Sequence, residues 1–347
     1  MAQRTQGSQR TQGSQGSHRT RMAAVRWTPP PNPQPVRRRG DVQTLPPLKR
    51  IPLPGAGPEH IAVAASGELF TGLADGRILR VSPDGGVGAV TTTGGRPLGL
   101  ELLGEDALIV CDAYRGLLKV RLSDGTVEVL VAKVEGEPLI FCSNAAVAAD
   151  GSIYFTQSSR HFNIDEYRGD LFEHSTTGRL FRYRDGAVDL VADGFAFANG
   201  IVLIEDGAAA VVAETGGYCL TRVELAGPDA GRTSAFGAPL AGFPDNLTRD
   251  ADGLIWIAMV SPRDPALDWL LPRHPRLRSL VWSTPERLQP GEKDLAWAIA
   301  VDGTGEKVRE LRGWGVGYKA VTAVRRSGET LYLGSLTEAA IAAVGLR

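Results

Sequence analysis

The chain has 347 residues, of which 43% are hydrophobic and 22% charged, and its formal net charge is -1. This composition is typical of a globular protein, and the balanced charge excludes a strongly basic nucleic-acid-binding protein. It contains no run of about eighteen apolar residues, which argues against an integral membrane segment. Three widely separated cysteines fit neither a disulfide framework nor a zinc site, and the 42 glycines indicate many tight turns.

The first part of the chain differs in composition from the rest. Residues 1–40 hold eight arginines and no acidic residue, and the hexapeptide Arg-Thr-Gln-Gly-Ser-Gln begins at both Arg4 and Arg10. Such a segment buries too little apolar surface to fold. We therefore predict a disordered basic arm over residues 1–45 and one folded domain over 46–347. The arm lacks the apolar core of a secretory signal, and Met22 is an alternative start. Since the cysteines also indicate no disulfide pairing, a cytoplasmic location is expected.

From about residue 50 onward one pattern recurs, with a glycine-containing turn, a short apolar run, a polar break and a second short run. Asp-Gly before alternating apolar residues predicts a β-hairpin. Units repeated at intervals of about 40 to 50 residues predict an all-β fold, a six-bladed β-propeller with four-stranded antiparallel blades. A pair of β-sandwiches is the alternative. Clear turns lie at residues 75–77, 149–151, 205–207 and 251–253.

Two of the repeated units contain long insertions. Residues 158–177 separate two strands of the third unit, and residues 261–290 separate two strands of the fifth. The spacing of apolar residues over 265–288 predicts one or two short helices. Long loops on a rigid scaffold often contact substrates, so both insertions are candidate lids. Surface decoration is the alternative interpretation.

Carboxylate or amide side chains recur just before a strand in four of the units. Each precedes its turn by a similar number of residues, which predicts a position on the innermost strand of a blade, facing the central channel. Oxygen atoms from four blades suit a hard divalent cation, above all Ca²⁺. Each residue alone is also compatible with ordinary turn chemistry. The candidate metal ligands are Glu59, Asn144, Asn199, Asp245 and Asn246.

Several short motifs occur in a characteristic order. They include Gly57-Pro58-Glu59, Phe197-Ala198-Asn199-Gly200, Pro244-Asp245-Asn246 and Leu331-Tyr332-Leu333-Gly334-Ser335. Over roughly residues 50 to 340 the chain resembles the strictosidine synthase-like proteins. Those proteins belong with the gluconolactonases, including regucalcin (senescence marker protein), and with the paraoxonases in a superfamily of six-bladed calcium-dependent propellers.

This resemblance implies a divalent ion, calcium or another divalent cation, at the mouth of the channel. It also implies hydrolysis of a small-molecule lactone or ester. Glu59 matches the first-blade glutamate ligand, Asn144 and Asn199 match the two middle asparagines, and Asp245 with Asn246 matches the last pair. The ion would polarise the substrate carbonyl, and Asp245 or Glu59 would act as the catalytic base that activates a water molecule.

The chain departs from the family pattern at several positions. Ala145 follows Asn144 where relatives have aspartate, so a second, structural calcium site is not expected. Gln157 replaces a carboxylate, and Leu98 stands where paraoxonases have histidine. Residues 319–324 lack the glutamate on which strictosidine synthase depends, which argues against an enzyme that condenses an amine with an aldehyde. The main alternative is a non-catalytic propeller that binds a small molecule or a protein and holds a structural ion.

Four further residues are candidates for substrate contact. Asp112 and Tyr114 end a predicted inner strand of the second blade. His161 lies in the first candidate lid, and Glu214 ends a strand of the fourth blade. The sequence predicts neither a nucleic-acid partner nor a particular oligomeric state.

Overall fold

The computed structural model describes residues 20–33, 43–284 and 293–346. Within these residues six antiparallel sheets follow one another along the chain, and the inner strands of successive sheets contact each other around a ring. The predicted six-bladed β-propeller is therefore confirmed. Five blades have four strands, and the fifth blade carries one additional short strand.

The strands occur in the following order along the chain. Two short strands, β1 (Gln43–Thr44) and β2 (Lys49–Pro52), precede the first blade. The first blade contains β3 (Ile61–Val63), β4 (Leu69–Gly72), β5 (Arg77–Val81) and β6 (Val87–Thr92). The second contains β7 (Pro97–Leu103), β8 (Ala107–Asp112), β9 (Gly116–Arg121) and β10 (Val127–Val131). A hairpin of β11 (Lys133–Val134) and β12 (Glu137–Pro138) follows.

The remaining blades follow the same plan. The third contains β13 (Cys142–Val147), β14 (Ile153–Gln157), β15 (Gly178–Arg184) and β16 (Ala187–Phe195). The fourth contains β17 (Ala198–Ile204), β18 (Ala209–Glu214), β19 (Cys219–Glu224) and β20 (Thr233–Ala235). The fifth contains β21 (Gly242–Arg249), β22 (Ile255–Pro262), β23 (Leu295–Val301) and β24 (Lys307–Trp314). The sixth contains β25 (Val321–Ser327), β26 (Thr330–Ser335) and β27 (Ala340–Gly345).

Both ends of the folded domain close the ring. β2 pairs antiparallel with β27, so that Ile51 lies opposite Ile341 and the sixth blade obtains its outer strand from the start of the domain. β1 pairs parallel with β24, and Leu45 is buried beside the fifth and sixth blades. The predicted domain boundary at residue 46 therefore falls just after residues that already belong to the propeller.

The core is a series of apolar clusters between adjacent blades. Val211 and Leu220 of the fourth blade pack with Ile257 and Trp297 of the fifth, for example. Since each sheet is covered on both faces, the middle strands are continuous apolar runs, and all six residues of β8 are buried. Burial of each large aliphatic side chain stabilises the fold by about 1.5 to 3 kcal/mol.

The predicted Asp-Gly turns have the backbone conformation that requires glycine. Gly151 and Gly253 have φ values of 83° and 85°, in the left-handed region that other residues adopt only at a cost. Each of these turns connects the inner strand of its blade to the next strand.

Three short helices lie in the two insertions. In the third blade a 3₁₀ turn, Ile164–Glu166, leads into α1 (Tyr167–Glu173). In the fifth, α2 (Pro265–Leu270) begins after Asp264, whose side chain caps it, and α3 (Pro275–Trp282) follows. The helices predicted over 265–288 are confirmed up to residue 282, and residues 285–292 lie outside the described residues. No helix in the described part of the chain has the length and apolarity to cross a membrane.

Residues 20–27, here called the strap, lie against these helices. The backbone N–H of Ala23 donates to Glu173 Oε2 at 2.7 Å, and the ring of Trp27 stacks on His174 with centroids 3.9 Å apart. This part of the predicted disordered arm is therefore packed on the folded domain. Residues 1–19 and 34–42 lie outside the described residues.

Candidate functional site

A cavity of about 320 Å³ lies between the inner strands and the inserted helices. Its polar side, here called the floor, is formed by the blades, and its apolar sides, the walls, are formed largely by the insertions. The floor consists of Glu59, Ser143, Asn199, Thr215, Asp245 and Thr322. The walls include Phe141, Ile164, Tyr167, Leu171, Phe172, Phe197, Phe243, Val260, Leu267, Leu270 and Val281.

Three floor residues occupy equivalent positions at irregularities in the sheet. In β13, β17 and β21 the pairing register shifts within the strand, as it does at a β-bulge, which redirects a side chain. The first residue of each irregular pair lines the cavity, and the second does not. The pairs are Ser143-Asn144, Asn199-Gly200 and Asp245-Asn246.

This register gives Ser143 and not Asn144 the position equivalent to Asn199 and Asp245. Ser143 Oγ donates to Asn199 Oδ1 at 3.2 Å, so its hydroxyl belongs to the floor. Ser143 is not among the residues that the sequence predicts for the site. A bulge shifts the channel-facing position by one residue. The sequence Ser143-Asn144 alone does not show which of the two side chains faces the channel.

The side chains of Asn144 and Asn246 instead connect inner strands to each other. Asn144 Nδ2 donates to Asn246 Oδ1 at 2.5 Å, and Asn246 Nδ2 donates to the backbone oxygen of Glu59 at 3.2 Å. Both residues are buried beneath the floor and do not line the cavity. Of the five predicted metal ligands, the structure thus brings Glu59, Asn199 and Asp245 together at the cavity surface.

The two floor carboxylates are buried and close enough to influence each other. Burial raises the pKa of Glu59, although Arg96, whose Nη2 donates to Glu59 Oε2 at 3.1 Å, acts in the opposite direction. Burial, and then the charge of Glu59, raise the pKa of Asp245 well above its usual value, while a hydrogen bond from Asn199 lowers it. Asp245 Oδ1 is buried without a hydrogen-bond partner among the described residues.

These features fit a hard divalent cation. The Arg96 guanidinium pairs with Glu59, whereas Asp245 Oδ1 has no hydrogen-bond partner among the described residues and is available as a ligand. Glu59, Asn199 and Asp245 supply the carboxylate and amide oxygens that Ca²⁺ prefers. No group of three or more His, Cys, Asp or Glu side chains in the described chain could hold a metal. An ion at the floor would therefore also need amide or hydroxyl oxygens.

Two residues at or beside positions that relatives use, His60 next to Glu59 and Leu98 in place of a histidine, have structural roles. His60 follows Glu59 but is buried, and its Nδ1 accepts from the backbone N–H of Leu100 at 3.3 Å. Burial, together with the positive charge of Arg325, lowers the pKa of His60 to about 3, so the ring is neutral. Leu98 is buried in an apolar cluster with neighbouring aromatic rings.

Two predicted substrate contacts in the second blade lie outside the cavity lining. Asp112 is buried and accepts hydrogen bonds from Thr93 Oγ1 at 2.7 Å and from the backbone N–H of Tyr114 at 3.0 Å. It therefore holds the turn that follows β8. Tyr114 is half-exposed, and its hydroxyl donates to Asp165 at 2.8 Å.

The other two predicted contacts also do not line the cavity. His161 Nδ1 lies 2.7 Å from Glu173 Oε1 within the third-blade insertion. Glu214 accepts from the backbone N–H of Ala196 at 2.7 Å. The structure thus places His161 and Glu214, like Asp112 and Tyr114, in contacts that stabilise loops.

Both candidate lids do contribute to the cavity. Ile164 and Leu171 come from the third-blade insertion, and Leu267, Leu270 and Val281 come from the fifth-blade insertion. The apolar spacing in the fifth-blade segment predicted helices, but the side of each helix that faces the cavity depends on how it docks on the propeller.

Comparisons with known proteins agree with this architecture. Residues 61–264, more than half of the chain, match the family model described as the SMP-30/Gluconolactonase/LRE-like region. Protein strictosidine synthase-like 13 of Arabidopsis thaliana is 33% identical over 260 residues, which cover 66% of this chain and 64% of that protein. The match thus spans slightly less than two thirds of that relative.

Two solved structures share the fold. A gluconolactonase from Xanthomonas campestris superposes with a TM-score of 0.64 at 17% identity, over 86% of this chain and 89% of that one. Regucalcin from Agrobacterium tumefaciens, described as a calcium-binding protein, superposes with a TM-score of 0.61 at 14% identity, over 88% and 96% of the two chains. At these identities the likeness shows the fold alone.

Proposed function

The chain belongs to the SMP-30/gluconolactonase/LRE-like family, as its motifs predicted, and on this basis we propose that it is a metal-dependent hydrolase of lactones or esters. The observation that carries the proposal is the pair of buried carboxylates, Glu59 and Asp245, on the polar floor of a cavity whose walls are mostly apolar. Burying two carboxylates side by side is unfavourable unless a cation or a proton compensates them.

Each floor residue has a defined role in this proposal. Glu59, Asn199 and Asp245 would hold a divalent cation, for which Ca²⁺ is the best match. The bound ion would supply the positive charge that polarises the substrate carbonyl. Arg96 orients the Glu59 carboxylate through its hydrogen bond of 3.1 Å.

Asp245 is the proposed general base. Its carboxylate lies on the cavity floor, and its Oδ1 has no hydrogen-bond partner among the described residues, so it can accept a proton from a water molecule there. The Asn199 side chain, which lowers the pKa of this carboxyl, is itself held by a hydrogen bond from its Nδ2 to Thr215 Oγ1 at 3.1 Å. Both floor carboxylates are buried from bulk water, which strengthens the electrostatic interactions at the floor.

The walls favour a substrate with an apolar acyl or aryl part. Aromatic rings of Phe141, Phe197 and Phe243 and aliphatic side chains of the insertions surround most of the cavity. A polyhydroxylated sugar lactone would lose hydrogen bonds to water on entering such a cavity, whereas an alkyl or aryl chain would gain from burial. We therefore propose alkyl or aryl lactones and esters as the substrate class.

The test is hydrolysis of a panel of alkyl lactones and aryl esters before chelation, after chelation and after Ca²⁺ is restored. We expect turnover to be lost on chelation and to return with Ca²⁺. Asp245→Asn should lower kcat/KM by about 100-fold or more, because it removes the base and a charged ligand. The matched control is Asp165→Asn, since Asp165 contacts Tyr114 outside the cavity lining. Full activity of Asp245→Asn would exclude the proposed mechanism.

A non-catalytic binding protein is the second candidate function. It is favoured by the ion pair between Arg96 and Glu59, which already compensates one carboxylate, and by Leu98 in place of a histidine. In that case the same ligands would raise the melting temperature without being hydrolysed. A condensing reaction of the strictosidine synthase type is not proposed, since Thr322 lines the floor and residues 319–324 contain no carboxylate.

A further inference from the structure

The helices that form part of the cavity walls also carry an unusual outer surface. Leu267, Leu270 and Val281 line the cavity. On the same two helices, α2 and α3, large apolar side chains are exposed to solvent. Trp269 is 50% exposed, Leu277 39% and Leu280 64%, and Val25 of the neighbouring strap is 49% exposed.

This apolar surface is combined with positive charge. A groove beside it is lined by Arg26, Arg273, His274, Pro275, Arg276 and Leu277, and this lining includes no carboxylate. The groove lies between the strap, which contributes Arg26, and α3, which contributes Arg276. Neither Arg26 nor Arg276 makes an ion pair with another described residue.

The acidic side chains of α2 do not neutralise this charge, because they are used elsewhere. Asp264 accepts from the backbone N–H groups of Ala266 and Leu267 and caps the helix. Asp268 pairs with Arg263 at 2.9 Å. The net charge of -1 for the whole chain therefore conceals a local surface that is both cationic and apolar.

We propose that this surface binds the headgroup region of an anionic lipid membrane. We call it the docking face and define it by Val25, Arg26, Trp269, Arg276, Leu277 and Leu280. Arginines beside exposed aliphatic and indole side chains match a membrane interface, where phosphate groups lie next to acyl chains. Tryptophan is suited to this boundary because its ring is amphipathic.

The chemistry of the docking face favours lipid over nucleic acid. Single-stranded nucleic acids bind positively charged grooves in which bases stack on aromatic rings. Three of the four exposed apolar side chains here are aliphatic, and the one aromatic ring, Trp269, already has the Arg273 guanidinium 5.3 Å from its centroid. Aliphatic side chains gain little from bases but gain free energy in the acyl region of a bilayer.

α2 and α3 contribute both to the cavity walls and to the docking face. Docking would therefore bring the cavity close to the membrane, from which an apolar ligand could enter. The docking proposal nevertheless does not depend on hydrolysis. Membrane binding can be measured whether or not the protein proves to be an enzyme, so failure of one proposal would leave the other intact.

The test is flotation of the full-length protein with vesicles of phosphatidylcholine alone or mixed with phosphatidylserine. We expect binding only to the anionic vesicles, and weaker binding when NaCl is raised from about 0.1 M to about 1 M, since the Debye length falls from about 10 Å to about 3 Å. The double variant R26Q/R276Q should lower the partition coefficient about 25-fold, at about fivefold per arginine. Leu280→Ser should weaken binding without changing its salt dependence.

Matched controls lie on other parts of the propeller. Arg232→Gln removes an exposed charge from the fourth blade, and Trp314→Ser removes an exposed ring from the fifth. Neither should change vesicle binding. Because every position is exposed, all variants should keep the wild-type melting temperature and the wild-type rate on a water-soluble ester.

Several results would overturn the proposal. They are equal binding to neutral vesicles, no binding to either kind of vesicle, and wild-type binding by R26Q/R276Q, which would assign the attraction to other basic residues of the arm. Displacement from anionic vesicles by single-stranded DNA at stoichiometric concentration would favour nucleic acid as the partner. Concentration-dependent dimerisation without vesicles, lost in Leu280→Ser, would favour a second copy of the chain.

Discussion

The floor and the walls of the cavity are built in different ways. Glu59 and Asn246 are 187 positions apart in sequence but share a hydrogen bond, because repeated blades bring equivalent inner strands to one place. The walls come largely from the two insertions, which interrupt single blades and whose α-helices have no counterpart in the other described blades. Repetition thus determines the chemistry of the site, and the insertions determine which molecules fit it.

The two regions also differ in how they are held. At the floor, buried side chains connect neighbouring blades to each other. Thr322 Oγ1, for example, donates to the backbone oxygen of Glu59 at 2.8 Å. The walls depend on contacts between α1, α3 and the strap, where Val25 N–H donates to the backbone oxygen of Glu173 at 2.9 Å. We expect the floor to open only when the propeller unfolds and the walls to open locally at lower free energy.

The largest effect is expected where two inner strands approach each other most closely. A Cβ atom at Gly200 would lie 2.3 Å from the backbone nitrogen of Leu247 and 2.6 Å from Asn246 Cα. Gly200→Ala should therefore lower the free energy of unfolding by about 3 kcal/mol, measured by chemical denaturation. In the control Gly303→Ala nothing lies within 4 Å of the new Cβ, so stability should change little. Equal stability of both variants would contradict a rigidly packed floor.

A smaller effect, confined to the walls, is expected at the strap. Trp27 stacks on His174, which is buried and whose pKa is lowered to about 4 by burial and by Arg278, so a neutral ring faces the indole. Trp27→Ala should reduce the free energy of opening α1 by about 2 kcal/mol, seen as about 30-fold faster hydrogen exchange there. The propeller strands should keep their protection.

Trp314→Ala serves as the control for that experiment, because Trp314 is 60% exposed on the outer strand of the fifth blade. It should leave exchange in α1 unchanged. If Trp27→Ala instead accelerated exchange in β17 and β21 as much as in α1, the floor and the walls would form one cooperative unit.

The smallest effect concerns the pH dependence of the third-blade insertion. Burial raises the pKa of Asp170 to about 7, a hydrogen bond from Ser159 lowers it, Glu173 raises it and His161 lowers it. A carboxyl group with a raised pKa in the folded state stabilises that state while it is protonated. This stability is present at acidic pH and is lost as the pH rises to about 7.

The closed state of α1 should therefore become less stable by about 1 kcal/mol per pH unit between pH 5 and 7, and should change little above that range. Hydrogen exchange corrected for intrinsic rates would measure this. Asp170→Asn should abolish most of the dependence, because an amide does not titrate. A dependence that persisted in this variant would show that Asp170 is not its source.

Much of the floor could be predicted from the sequence. Glu59, Asn199 and Asp245 share a predictive pattern, because a carboxylate or amide side chain recurs at a similar distance before a turn. The ring of blades places these equivalent positions close together. Asn144 was assigned a cavity position that Ser143 occupies, because the bulge in β13 shifts the phase by one residue. Local sequence does not show where a strand will bulge.

The predicted substrate contacts show the limits more clearly. Tyr114 and Glu214 lie at strand ends, a position that predicts substrate contact. However, a hydrogen bond to Asp165 and one from Ala196 engage their side chains outside the cavity lining. The apolar walls were not predicted residue by residue. Their side chains are chemically ordinary, and only docking of the insertions on the propeller distinguishes those that line a cavity.

By itself the sequence determined the repeat, the number of blades, the two insertions and the residue types of the floor, because each follows from periodicity or from local turn chemistry. Only the tertiary structure decided that the strap packs on the inserted helices, that Ser143 joins the floor, and that a cationic, apolar face lies outside the walls. These features depend on contacts between segments far apart in the chain, such as the hydrogen bond from Arg278 of α3 to the backbone oxygen of Val25, and no local pattern encodes them.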